Sequence, residues 1–375
     1  MKFIPYGRQS IDSSDIKEVV EVLHSDYLTT GPVVEEFENK IAKYCGAKYA
    51  IAVSNGTAAL HLSSLVLLNK GDRVLTTPNS FVATSNAIIY ADAKPIFVDI
   101  TRDGNIDLDI CIDILKKDKK IKALYCVHFS GNPVDQDKLQ YIKKKFNIKI
   151  LEDCAHSIGA TFKGIKAGSC KYSDISIFSF HPVKNMTTGE GGAVTTNSKK
   201  IYNKIKALRS HGIYKTDKMK PWEYELRELG FNYRLTDIQS ALGISQLKKL
   251  DSFIQKRQEL AKRYDKAFKN ISYIKPLYSY TKNSAYHLYV VLIDFDMLKI
   301  TRKELFIKMK KRDIGLQVHY IPINSQPYYK KLGYKDKSTP IMQNYYKKAV
   351  SLPIYPLLSS KEQDYVIQTL LELCR

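Results

Sequence analysis

The chain predicts an α/β protein, with a large, mostly parallel sheet covered by helices on both faces and a smaller C-terminal α+β region. Three observations carry that expectation. Seven short β-rich runs alternate with amphipathic helical stretches between residues 49 and 196. After about residue 235 the texture turns helical, then resumes as a second, shorter strand–helix set. At 375 residues the chain is long for a single core, so two domains are expected. We divide it into a large domain over 1–245, including N-terminal helices, and a connecting helix with the small domain over 246–375.

The elements follow in order. Asp12 or Ser13 caps the helical run IKEVVEVLHS, and VVEEFENKIAKYC closes on Gly46, a residue suited to a left-handed helix end. The strands are YAIAV (49–53), RVLTT (73–77), PIFVDI (95–100), ALYCVHF (123–129), IKILED (148–153), DISIFSF (174–180) and GAVTT (192–196). Stretches such as TAALHLSSLVLL and DQDKLQYIKKKF supply helices between them. A long helix begins at LTDIQSALG, and the second set reads HLYVVLID, TRKELFIKMKKR, IGLQVHY and a last helix, KEQDYVIQTLLEL.

Composition narrows the function classes. Hydrophobic residues make up 44% and charged residues 26%, the balance of a globular protein without a disorder signature. No stretch approaches the ~18 apolar residues of a membrane helix, and MKFIPYGRQSID offers no signal-peptide run, so a cytoplasmic location is expected. The six cysteines (45, 111, 126, 154, 170, 374) form no CxxC and do not cluster with the eight histidines, which points to free thiols and no metal site. The net charge of +21 is spread as lysines at helix ends and strand approaches, without a recognition-helix, zinc-finger or RNP pattern. A solvated basic surface, rather than nucleic-acid binding, is expected.

Ligands of open α/β sheets sit at the carboxyl ends of the strands, and four strand ends here carry chemistry. In SNGTAAL (54–60), Gly56 follows the strand and Thr57 and Ala58 open a helix. Backbone N–H groups at such a start suit a phosphate, although a plain turn with Thr57 as N-cap reads the same way. In TTPNSFVATSNA (76–87), Phe81 is either core or a flat surface for a planar ring. In ILEDCAHSIGA (150–160), Asp153 is either an N-cap or a carboxylate awaiting a cation, and His156 lies one turn on. In SIFSFHPVKNMTTGEGG (176–192), Ser179 and Lys184 follow an apolar strand. Desolvation drives such a lysine toward its neutral, nucleophilic form. A phosphate cradle, a stacking ring, a buried carboxylate and a dry lysine together are what pyridoxal 5′-phosphate (PLP) requires.

At these residues the sequence resembles the DegT/DnrJ/EryC1/StrS sugar aminotransferases, within the fold type I PLP enzymes (aspartate aminotransferase-like). SNGTAAL, TTPNSFVATSNA, EDCAHSIGA, FSFHPVKNMTTGEGGAV, RSHGI, GFNYRLTDIQSALGISQLKKLD and LPIYP carry the likeness in family order over nearly the whole chain. The resemblance implies that Gly56, Thr57, Ala58 and Ser179 hold the phosphate. It implies further that Phe81 stacks on the ring, Asp153 pairs with the ring nitrogen, His156 lies near the ring hydroxyl and Lys184 forms the Schiff base. Asn232 would reach the phosphate of a neighbouring subunit in a homodimer with shared sites, and Arg234 would face an anionic substrate group there. Some family members carry histidine in place of the lysine and dehydrate their substrate; with Lys184 present, transamination is implied. DGNID, RSHGI, QVHY and LPIYP sharpen the likeness to the transaminases of pseudaminic acid synthesis. That subgroup implies an amino donor such as L-glutamate and a UDP-4-keto-6-deoxy-N-acetylhexosamine. The same chemistry on another keto nucleotide sugar, or a non-catalytic nucleotide-sugar-binding relative, stands as the alternative. Tyr6, His319 and Tyr320 are candidates to touch the sugar or nucleotide, and Arg8, Arg209 and His211 lie near motif positions that would suit a diphosphate.

Overall fold

The alternation of β-rich and helical runs builds one seven-stranded sheet in the computed structural model, which describes residues 2–374. Its strands are β1 (Tyr49–Val53), β2 (Arg73–Thr76), β3 (Lys94–Phe97), β4 (Ile121–Val127), β5 (Lys149–Asp153), β6 (Ile175–Ser179) and β7 (Gly192–Thr196). The spatial order is β1-β7-β6-β5-β4-β2-β3. From β6 to β3 all neighbours are parallel, whereas β7 runs against both β1 and β6. Parallel neighbours need a crossover helix, but β6 and β7 are joined by a loop alone, and a short loop returns the chain antiparallel.

Helices α1 (Ser13–Leu23), α2 (Pro32–Cys45), α3 (Gly56–Leu67), α4 (Ala83–Tyr90), α5 (Leu108–Lys117), α6 (Gln136–Phe146) and α7 (Lys199–Arg209) accompany the sheet, and α8 (Asp237–Phe268) runs on for 32 residues. The strand period of two sorts the core. Leu124, Cys126 and Ile150 meet Cys111, Leu115, Leu139 and Ile142 of α5 and α6. Ala123, Tyr125 and Leu151 join the opposite layer, with Ala59 and Leu62 of α3 and Ile205 and Leu208 of α7. Emptying one such buried position, for instance Phe37→Ala on α2, would cost about 3–5 kcal/mol.

Caps set the helix boundaries. Asp12 and Asp15 form a reciprocal capping box on α1, and Thr236 and Gln239 do the same on α8. α2 has only Gly31 at its N-cap, so a distant carboxylate serves: Asp237 accepts from the N–H groups of Gly31 (2.8 Å) and Val33 (3.0 Å).

A second, antiparallel sheet holds β8 (Ile274–Pro276), β9 (Tyr289–Ile293) and β10 (Ala349–Leu352), packed with α9 (Arg302–Lys311), α11 (Pro340–Lys348) and α12 (Ser360–Leu373), while the short α10 (Pro327–Lys331) sets Tyr329 against Phe97 and Asn86 of the first sheet's side. Ile244, Leu247, Leu250 and Ile254 of α8 pack in the first core, and Leu260, Ala261, Tyr264 and Phe268 pack in the second. Ile4, from the other end of the chain, also lies in the second core. One expectation is corrected. IGLQVHY is not a strand and makes only the bridges Ile4↔Ile314 and Gln317↔Ser351, because the segment turns aside to wall a cavity. The helix α5 forms over LDICIDILKK, capped by Asp107. All six cysteines are free and buried.

Candidate active site

The carboxyl ends of β1, β5 and β6 open on a cavity of about 850 Å³. At the β1 end, Asn55 rather than Thr57 is the N-cap of α3, its Oδ1 accepting from the Ala58 N–H at 2.8 Å. The Ala59 N–H is taken by the Asn55 carbonyl (3.1 Å). The N–H groups of Gly56 and Thr57 lie ahead of the helix's own ladder and remain as its first donors. Gly56 is required for packing: a Cβ there would sit 2.9 Å from the Cβ of Ser179, so glycine lets the helix start close on β6. Thr57 is exposed, so its hydroxyl is free, and Ser179 lines the same corner.

At the β5 end, Asp153 is 4% exposed. Its Oδ1 accepts from the Ala155 N–H (3.0 Å) and its Oδ2 from the Thr84 hydroxyl (2.7 Å), which in turn accepts from Ser80 (2.7 Å). Burial pushes the carboxyl pKa up, against those hydrogen bonds and the charge of Lys184. His156 is 4% exposed; its Nε2 meets the Tyr320 hydroxyl at 3.1 Å, and its Nδ1 has no partner among the described residues.

Lys184 comes from the loop between β6 and β7. That loop is tied to itself by Lys184 N–H to His181 O (2.9 Å), Thr188 N–H to Phe180 O (3.0 Å) and Phe180 N–H to Gly191 O (2.8 Å). Asn185 anchors it to the Ala285 carbonyl (2.9 Å). Lys184 lines the cavity, and its enclosure by protein lowers its pKa to about 8, with the Asp153 charge acting in the opposite direction.

Not every expected residue is brought here. Tyr6, Phe81, His319 and Tyr320 join the cavity wall. Phe81 is 59% exposed, which is how a stacking surface, not a core residue, sits. Asn232 and Arg234 do not line the cavity, but Tyr233 between them does. In an extended segment consecutive side chains face opposite ways, so both neighbours of Tyr233 face away from this cavity. Arg8 and His211 are exposed and lie outside the cavity wall. Arg209 corrects its expected role: it is buried and committed to Glu38 and to the Ala52 carbonyl (2.8 Å), so it is not free for a diphosphate. Sequence reasoning missed Asn55, Thr84, Ser80 and His287, all of which line the cavity. Asn55 could have been found as a good N-cap residue just before a helix. His287, more than 100 residues from Lys184, left no local signal.

The geometry has counterparts in known proteins. The profile described as the DegT/DnrJ/EryC1/StrS aminotransferase family matches residues 9–371. A Campylobacter jejuni protein named UDP-4-amino-4,6-dideoxy-N-acetyl-beta-L-altrosamine transaminase is 42% identical over 372 residues, covering 99% of this chain and 97% of its own. The structure of Helicobacter pylori PseC, described as an aminotransferase involved in the biosynthesis of pseudoaminic acid, superposes with a TM-score of 0.93 at 34% identity, covering 100% of this chain and 99% of that one. A provisionally named sugar aminotransferase from Streptococcus pneumoniae in its PMP form gives 0.90 at 31% identity, covering 99% of each chain, and it is also known in a PLP form. With the family profile spanning nearly the whole chain and both cores in place, this protein belongs to the DegT/DnrJ/EryC1/StrS aminotransferase family.

Proposed function

We propose that the protein is a PLP-dependent aminotransferase that moves an amino group, with L-glutamate as donor, to C4 of a UDP-4-keto-6-deoxy-N-acetylhexosamine, yielding the β-L-altrosamine product named for its Campylobacter jejuni relative. The observation that carries it is the lysine of lowered pKa and the buried carboxylate in one cavity at the sheet's carboxyl edge.

The residues fit the cofactor. Asp153 holds two hydrogen bonds, and a carboxylate accepts about four, so it has capacity left for a protonated ring nitrogen. His156 Nδ1 is a buried polar atom without a protein partner, and the start of α3 offers N–H groups where a phosphate needs them. When bound, PLP supplies the electron sink that weakens the Cα–H bond of the amino donor. Asp153 keeps positive charge on the ring side of the cavity. Lys184 Nζ would take the donor's Cα proton and give it up again within the first half-reaction, and in the second the same base-then-acid cycle run backward would deliver a proton to the sugar carbon. Phe81 and Tyr320 close the flanks of the space between them.

The active unit is a homodimer in the cytoplasm. Among the described residues lining the cavity, Lys184 is the one lysine or arginine, yet a phosphate, a diphosphate and a dicarboxylic donor all need countercharge. The outward-facing Arg234 supplies that charge to a second copy, and Asn232 a neutral hydrogen-bond donor beside it. Mixing Lys184→Ala with Asn232→Ala subunits should recover part of the activity; no recovery after confirmed subunit exchange argues against shared sites. The substrate is tested by supplying the L-arabino and D-xylo 4-keto epimers with glutamate and comparing kcat/KM. Preference for the D-xylo sugar would reassign the substrate, and no turnover of any keto nucleotide sugar would refute the enzyme.

A further inference from the structure

Behind His156 stands a second histidine for which the chemistry above has no use. His287 is 4% exposed, lines the cavity and places its ring 4.4 Å from that of His156, centroid to centroid, with the planes at 44°. Its Nδ1 has no partner among the described residues. A buried polar atom left unpaired costs about 1–3 kcal/mol, which an apolar side chain at the same place would avoid. An imidazole is therefore kept here at a cost to stability.

Its backbone is fixed from two sides. The segment 285–288 lies on Gly131: Ala285 N–H donates to Gly131 O (3.0 Å) and Leu288 N–H to Ser130 O (3.3 Å). Gly131 has φ +97°, and a Cβ on it would stand 2.8 Å from the Tyr286 nitrogen and 3.1 Å from that of His287. From the other side comes Arg257 of α8, 1% exposed. Its Nη1 donates to the carbonyls of Tyr286 (3.3 Å), His287 (3.3 Å) and Ile354 (2.8 Å), and among the described residues no carboxylate pairs with it. A charge buried on carbonyls alone is an expensive way to hold a strand end, and it holds this one beside His156.

We propose that His287, fixed by Arg257, is a positioning residue that locks the His156 ring in one orientation and one tautomer. The argument rests on the aminotransferase reading only for what His156 then does. Tyr320 donating its O–H to Nε2 leaves the ring proton of His156 on Nδ1, as a donor aimed away from the protein's own acceptors. A half-turn of the imidazole would lose Tyr320, and the His287 ring fills the space that such a turn needs. Burial, with the charge of Lys184 adding to it, pulls both histidines well below the usual imidazole range, so two neutral rings meet without repulsion.

The test has an arm that needs neither cofactor nor turnover. Long-range 1H–15N spectra of the cofactor-free wild type at pH 7, assigned with His156→Gln, should show His156 as a neutral Nδ1–H tautomer. A protonated ring or an Nε2–H tautomer overturns the proposal, whether or not the protein transaminates. His287→Leu should turn that signal into an average of tautomers. In the loaded enzyme it should lower kcat about 10- to 100-fold, the scale of a small misplacement, while KM for the keto sugar moves less than about 2-fold. An unchanged tautomer and unchanged kcat in His287→Leu would leave His287 a packing residue. Failure of the wild type to transaminate, with the tautomer as expected, would instead strike the functional reading.

Discussion

Two consecutive carboxylates on β5 show how differently one strand treats its two faces. Glu152 points under the sheet and is 3% exposed. His128 Nε2 (2.9 Å), Gln136 Nε2 (2.7 Å), Ser173 Oγ (2.5 Å) and Ser176 Oγ (3.3 Å) all donate to it. His128 is held in that tautomer because its Nδ1 accepts from the Val134 N–H (3.2 Å). Burial raises the Glu152 pKa, but these donors overcome it and the net direction is down. Asp153 points into the cavity with two donors, and there burial prevails and the direction is up. The structural carboxylate is satisfied by the fold. The candidate catalytic one keeps acceptor capacity for something the fold does not provide.

Exchanging the two should therefore break different properties. Asp153→Asn should lower kcat by about 10³-fold, equivalent to about 4 kcal/mol, with Tm unchanged or slightly raised; turnover and a thermal melt on the same sample decide this. Glu152→Ala should do the reverse. Stranding His128, Gln136 and Ser173 without their acceptor costs about 3 kcal/mol in a denaturant titration, while activity per folded molecule stays within about 3-fold. If Glu152→Ala proves as inactive as Asp153→Asn while remaining folded, the contrast between the faces fails.

The next prediction sharpens the comparison through pH. In the cofactor-free protein, acylation of Lys184 should rise with pH around a midpoint of about 8, the point at which half the amine is neutral. Asp153 raises that pKa, so Asp153→Asn should move the midpoint down, and an upward move would contradict the assigned contact. The stability linkage has a definite sign. An unfolded lysine titrates near ~10.4, so between about 8 and that value the unfolded chain binds more protons. The contribution of Lys184 to stability thus rises with pH across this window. The smallest effect belongs to Asn55→Ala, which removes the cap of α3 and should cost about 1 kcal/mol of stability.

What could be read without coordinates was whatever the strand ends announce. Lys184, Asp153, Phe81 and Thr57 each follow an apolar run directly, so period and position suffice to gather them. Residues whose role depends on a partner far along the chain could not be read that way. Thr84 is 69 residues from the carboxylate it serves, and Arg209 is 171 residues from the Glu38 that removes it from anion binding. RSHGI announces a basic cluster, but only folding reveals that its arginine is spent inside. IGLQVHY failed as a strand for a related reason: its apolar alternation is real, but Gln317, Val318, His319 and Tyr320 all line the cavity, and the segment keeps only single bridges to its neighbours.

The reversed strand has a consequence for how the chain is made. β1 is an edge strand whose sole neighbour in the sheet is β7, with Tyr49 opposite Thr196 and Val53 opposite Gly192. During synthesis β1 leaves the ribosome first and stays without a partner until some 140 more residues have followed, the separation of Val53 from Gly192 being 192 − 53 = 139. The run YAIAV is apolar throughout, so for that interval the nascent chain carries an uncovered, pairing-competent segment. The same loop that delivers Lys184 also delivers β7, so the tether of this lysine and the closure of the sheet are completed in one step of translation.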